Sequence, residues 1–198
     1  MSNNSSADRF AVIAAGFQGD VPTALAAVDH ADSSLRSSAL RALHRLGELT
    51  PEHIARSFTD QSAEVRRTAV ELSVHIDVSI HHLLNDDDVF VAEMTAWSLG
   101  ERQTPTDEEI AALIHATTQH AESVVREACA AALGSLGDIR GLPAILTACT
   151  DKPAVRRRAV LALAPFDGEE VDAALQRALE DRDWQVRQNA EILVNPRD

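Results

Sequence analysis

Apolar residues along 121–151 (AESVVREACAAALGSLGDIRGLPAILTACTD) fall into two helical stripes with a glycine-rich break between them. Val125, Cys129, Leu133 and Leu136 stand at helical spacing, Gly134, Gly137 and Gly141 interrupt it, and Leu142, Ile145, Leu146 and Cys149 begin a second stripe. The stretch predicts a helix, a turn and a second helix. Neither helix can bury its stripe alone, so the hairpin needs neighbours of its own kind. Weaker copies are present on both sides. Aligned on one apolar residue near the start of each first helix, they are anchored at Leu35, Val65, Val91, Val125, Val155 and Val186, with spacings of 30, 26, 34, 30 and 31 residues. Arg follows the anchor in five of six copies (Arg36, Arg66, Arg126, Arg156, Arg187). Four residues after the anchor stands Ala39, Ala69, Thr95, Cys129, Ala159 or Ala190. Eight after it come Leu43, Leu99, Leu133 and Leu163, with Ser73 and Val194 as exceptions. A fixed period with this internal pattern predicts stacked helical hairpins.

Residues 1–6 are polar and predict a frayed tail, with Ser5, Ser6 or Asp8 available to cap the first helix. The apolar run from Phe10 and the TALAAV stretch after Val21-Pro22 form a degenerate first pair. The expected organisation is a tail at 1–6 and a single solenoid over 7–198, with units 7–31, 32–60, 61–86, 87–119, 120–151 and 152–181 and a capping helix at 182–195. Arg187, Gln188, Asn189 and Glu191 make that last helix the most polar, as the end of a finite array requires, so the chain is expected to be complete.

The pattern D-x-x-x-x-V-R-x-x-A-x-x-A-L-G, fullest at 125–134 and partial at 181–193, resembles the HEAT repeat of the short type first described in phycobilisome lyases. The resemblance spans roughly residues 8–198 and implies an all-α, right-handed α-solenoid (an alpha-alpha superhelix, armadillo/HEAT-like) of about six hairpins. It is specific for fold and not for function, since such repeats carry scaffolds, adaptors and a few enzymes alike. Asp32, Asp60, Asp86, Asp151 and Asp181 precede the anchors, where a carboxylate can cap a helix N-terminus. In related repeats this Asp also pairs with the Arg of a neighbouring unit, which implies a structural ladder through Asp60, Arg66, Asp151, Arg156, Asp181 and Arg187.

The resemblance further implies that second helices line the concave side. Their outward residues would then be Glu52, His53 and Arg56, His81 and His82, Glu108, Glu109 and His115, and Gln176 and Arg177. The third unit is short and lacks a glycine turn (SVHIDVSIHHLLN), the fourth carries an inserted loop at 102–106, and Ala92 replaces the anchor Arg. Insertions in such arrays map to binding rims, although drift produces irregular lengths equally well. The candidate partner site therefore comprises His53, Arg56, His81, His82 and His115 on the concave face, with Asp86, Asp87 and Asp88 at its rim. Its expected ligand is another protein.

Composition narrows the partner. With 45% apolar and 25% charged residues the chain is expected to fold, and five Phe, two Trp and no Tyr suit Ala- and Leu-rich helices better than strands. A net charge of −13 disfavours nucleic acid and anionic membrane. The start, MSNNSSAD, has no basic and apolar leader pattern, and the run at 10–17 is too short to span a bilayer, so a cytoplasmic location is expected. Cys129 and Cys149 lie on apolar stripes and read as reduced core thiols, too few for a disulfide framework or a structural zinc site.

Enzymes on this scaffold provide a direct check. Deoxyhypusine hydroxylase, similar in its repeats, holds iron with His-Glu dipeptides, whereas the eight histidines here are followed by Ala, Arg, Ile, Ile, His, Leu, Ala and Ala. His81 and His82 would point about 100° apart on a helix, which suits one shared metal poorly. Helical-repeat DNA glycosylases need a basic channel that 31 acids against 18 bases do not supply. No phosphate loop or nucleophile-base set is present in a recognisable motif. A non-catalytic scaffold with no cofactor and no metal is expected, the alternative being a bilin-lyase-like or other prosthetic-group enzyme.

Overall fold

The computed structural model describes residues 2–195, which form twelve α-helices and two short 3-10 helices, with no strand among the described residues. The chain divides into two compact bodies, one ending at Ser79 and one beginning at Ile80.

In the N-terminal body, α1 (Ser2–Gln18), α3 (Ser33–Leu46) and α5 (Ala63–Leu72) pack side by side as first helices. The short second helices α2 (Val21–Ala26) and α4 (Pro51–Ser57) lie against them. In the C-terminal body, α6 (Val89–Gly100), α8 (Ser123–Leu136), α10 (Pro153–Leu161) and α12 (Trp184–Val194) form the first-helix layer. A 3-10 turn at His81–Asn85, α7 (Asp107–Gln119), α9 (Leu142–Ala148) and α11 (Glu169–Leu179) supply the second-helix positions. The six anchors are at most 3% exposed, and the small residues four positions later are fully buried. The repeat pattern is thus the core pattern, because only a small residue lets one first helix approach the next.

Several local expectations are corrected. Helix α1 begins at Ser2, so 2–6 is helical, while Met1 and 196–198 lie outside the described residues. Gly134 is no helix breaker: it lies inside α8, where an added Cβ would come within 2.6 Å of Ala162 Cα, and Gly137 at φ 63° ends the helix. Of the five Asp residues read as caps, only Asp32 caps a helix, accepting from Ser34 N–H. Asp60, Asp86 and Asp181 instead accept the amide two residues on, and Asp151 accepts from Lys152 N–H. They brace the turn before the helix, whose N-caps are Ser62, Asp88, Asp183 and Lys152.

The largest departure is the second position of the third repeat. After α5 the chain turns at 73–75, bends at Ile76 and runs without regular structure over 77–80, then makes the 3-10 turn that carries His81 and His82, so these two are not on an α-helix. The cause is visible in SVHIDVSI: Val74, Ile76, Val78 and Ile80 alternate with exposed His75, Asp77 and Ser79. Period-two spacing of β-branched residues favours extended chain over helix.

Candidate functional site

Successive repeats are tied by forked ion pairs. Arg36 donates from Nε and Nη2 to Asp60 at 2.8 and 2.6 Å, Arg126 to Asp151 at 2.6 and 2.9 Å, and Arg156 to Asp181 at 2.8 and 2.7 Å. Each guanidinium also donates from Nη1 to a carbonyl of the turn before its own helix: His30, His120 and Asp151 respectively. Arg66 and Arg187 make this second contact to Asp60 O and Asp181 O at 2.9 and 2.7 Å. The partners hold Asp60, Asp151 and Asp181 below the usual carboxylate range, chiefly by side-chain hydrogen bonds from the arginines. These groups are consumed in architecture and offer no free base or nucleophile.

The residues expected on the second-helix face are dispersed among separate local roles. His53 Nδ1 accepts Thr50 N–H at 3.2 Å in a capping box that starts α4, and exposed Arg56 pairs with Asp29. Glu109, expected to face solvent, is 1% exposed. Its carboxylate accepts from Thr106 N–H at 3.0 Å and from Arg102 at 2.6 Å, a buried cap that overrides the outward position its spacing suggested. His81 and His82 meet edge to face, ring centroids 6.3 Å apart, and burial followed by the neighbouring His81 charge pushes the His82 imidazole down. Asp86 serves the turn amide and Asp88 caps α6 through Phe90 and Val91 N–H, which leaves Asp87 exposed. His115 is exposed on α7.

The first helices present a different surface. Of seven aromatic side chains, Phe58 and Phe166 are buried, whereas Phe10, Phe17, Phe90, Trp97 and Trp184 are exposed, and all five exposed rings stand on α1, α6 or α12. Phe17 carries the Arg45 guanidinium 4.0 Å above its ring. Trp97, 49% exposed, walls a cavity of about 280 Å3 between α6, α8 and α10. Its floor is made of Gly100, Ala128 and Ala132, and the floor exists because α6 and α8 nearly touch there, a Cβ on Gly100 falling 2.8 Å from Ala132 Cα. Glu93, Glu101, Glu127 and Arg158 rim it. The cavity beside Trp97 depends on the close approach at Gly100.

A family described as HEAT repeats matches residues 76–163 and 110–194, together more than half of the chain. The chain belongs to the HEAT repeat family. Among solved structures, this HEAT-repeat protein is similar to Escherichia coli YibA, with 20% identity and a TM-score of 0.63 over 86% of this chain and 68% of that one. It is similar to an engineered protein at 19% identity and a TM-score of 0.57, over 89% and 57% of the two chains. Human deoxyhypusine hydroxylase in complex with glycerol aligns at 18% identity and a TM-score of 0.49, over 98% and 80%. At identities this low the first two show the fold alone. No curated protein sequence matches significantly.

Cys129 is buried and its thiol is pushed up to about 12, and Cys149, half-buried, up to about 11, both by burial, so neither is a thiolate near neutrality. Among the described residues no three His, Cys, Asp or Glu are grouped to hold a metal ion, and no helix is long and apolar enough to cross a membrane. A second cavity, of about 270 Å3, gathers Arg9, Arg41, Arg45 and Arg67 against Glu64. Three of these cations are engaged already: Arg41 with Glu71, Arg45 with Phe17, and Arg9 with Ser38.

Proposed function

We propose that this HEAT-repeat protein is a non-catalytic scaffold that binds another protein through the first-helix face of its C-terminal body, centred on Trp97. The observation that carries the proposal is the placement of the exposed aromatics: five of seven rings stand in solvent, all on first helices. Buried interface anchors are enriched in Trp and other aromatics, and a fold with few such residues gains nothing in stability from leaving most of them exposed. The second-helix set, His53, Arg56, His81, His82 and His115 with Asp86, Asp87 and Asp88 at its rim, is the alternative face. It offers polar groups, imidazoles among them, and no exposed Phe or Trp ring.

The finer assignment to the phycobilisome-lyase type of repeat rests on the Asp-Arg rungs and the short period. A cytoplasmic setting suits the two free thiols, and a net charge of −13 opposes nucleic acid as the partner. Affinity capture from the source cells, with mass-spectrometric identification, tests the surface. Wild type and the R56A/H82A/H115A variant should retain the same protein, and W97A should lose it with helicity unchanged. The reverse result would transfer the interface to the second helices, and a chromophore copurifying with the chain would favour a lyase-like enzyme instead.

A further inference from the structure

The groove beside Trp97 has a chemistry more specific than an apolar anchor requires. Glu93 and Trp97 on α6 and Glu101 at its C-cap recur at four-residue spacing and line the same groove. Glu127 approaches from α8, and Arg158 from α10 stands at the far edge with its Nε 3.7 Å from Glu127. Three acids against one base leave the rim negative, on the flank of a half-exposed indole and above a floor of small side chains. The rungs run through Arg126 and Arg156, Glu127 alone of the three glutamates meets a neighbouring repeat, through Arg158, and none of the three caps a helix through its side chain.

Resting on the reading of the first-helix face as a protein interface, we propose that this groove takes an arginine or lysine side chain of the partner, its cationic head between Glu93, Glu101 and Glu127 and its stem against Trp97. An indole face attracts a cation, and carboxylates at its edges add charge-assisted hydrogen bonds. The small-residue floor leaves space for the methylene stem, whose burial adds to the contact. A neutral or acidic side chain would leave the carboxylates desolvated without a partner.

The test uses the full chain carrying Trp184→Phe, so that Trp97 is the sole indole, titrated with acetylated tetra-arginine amide and followed by Trp97 fluorescence. A saturable change is expected. The variant E93Q/E101Q/E127Q should weaken binding by about tenfold or more, because truncating one side of a close charge pair is costly. E169Q/E170Q/D172N removes three charges as well, from exposed positions on α11, and should weaken it by no more than about twofold, since distant surface charges are screened. Equal loss in both triple variants, equal binding of the neutral tetra-citrulline peptide, or an unresponsive Trp97 overturns the proposal. Capture of the cellular partner separates the two levels. If W97A abolishes capture while E93Q/E101Q/E127Q leaves it intact, the interface stands and the cationic anchor is wrong; if neither variant affects capture, the interface itself is wrong.

Discussion

At the residue scale, the rungs are the most constrained feature, and the junction of α6 with α8 lacks both halves of one. Ala92 stands where the anchor Arg belongs, and His120 occupies the position of the turn carboxylate, its Nδ1 accepting Glu122 N–H at 3.1 Å. His30 does the same for Asp32 N–H at 3.0 Å. An imidazole can brace the turn but offers no carboxylate fork, so no guanidinium is left half-buried without its partner. Removing one member of an existing pair is different. The Arg156 and Asp181 side chains are 17% and 15% exposed, and Arg156→Ala should cost about 2–3 kcal/mol at pH 7, within the range for charge-assisted hydrogen bonds. Because Asp60, Asp151 and Asp181 have lowered pKa values in the fold, their contribution is present above the unfolded value of about 3.9 and is lost as pH falls through the lowered values. Urea denaturation should therefore show the carboxylate contribution as a decline below about pH 4, separate from the loss that the depressed His82 imidazole gives as pH falls below its ordinary value of about 6.5. In Arg156→Ala that decline should be shallower, since Asp181 then titrates nearer its ordinary value; an equally steep acid limb would place the acid sensitivity elsewhere.

At the scale of elements, helix-to-helix distance is set by small residues, and one substitution exposes the competition. Alanine in place of a mid-helix glycine gains about 1 kcal/mol in propensity. At Gly134, however, the new methyl would meet Ala162 Cα and Cβ at 2.6 Å, and backbone on a packed helix cannot move aside as a flexible side chain can. Overpacking of this kind costs about 1–3 kcal/mol. Gly134→Ala should thus lower the melting temperature despite the better helix former. A rise would mean that α8 and α10 separate more easily than their packing suggests. The same logic explains why α6 and α8 meet at Gly100 and leave a recess beside Trp97.

For the whole molecule, charge sets the response to salt. A surplus of 13 negative charges repels itself in the compact state, and this repulsion is long-ranged and readily screened. The Arg-Asp rungs, mostly shielded from solvent, are screened much less. Added salt should consequently raise the melting temperature, most steeply at the low-salt end. A monotonic fall would show that exposed pairs such as Arg41 with Glu71 and Arg140 with Asp107 outweigh the net repulsion.

The sequence by itself determined the hairpin period, the six buried anchors and the small residue four positions after each, because stacked amphipathic helices can bury a shared core only in that register. What only the tertiary structure decided concerns groups with more than one local partner. Glu109 had the spacing of a surface residue until Thr106 and Arg102 drew it inward, and His53 until its ring closed a capping box. Turn carboxylates and helix caps are one or two residues apart in sequence, and only the backbone conformation shows that Asp60 braces a turn while Asp32 caps a helix. The recess at Trp97 needed coordinates for a simpler reason: it is bounded by three helices from three repeats, and its depth depends on how closely Gly100 lets two of them approach.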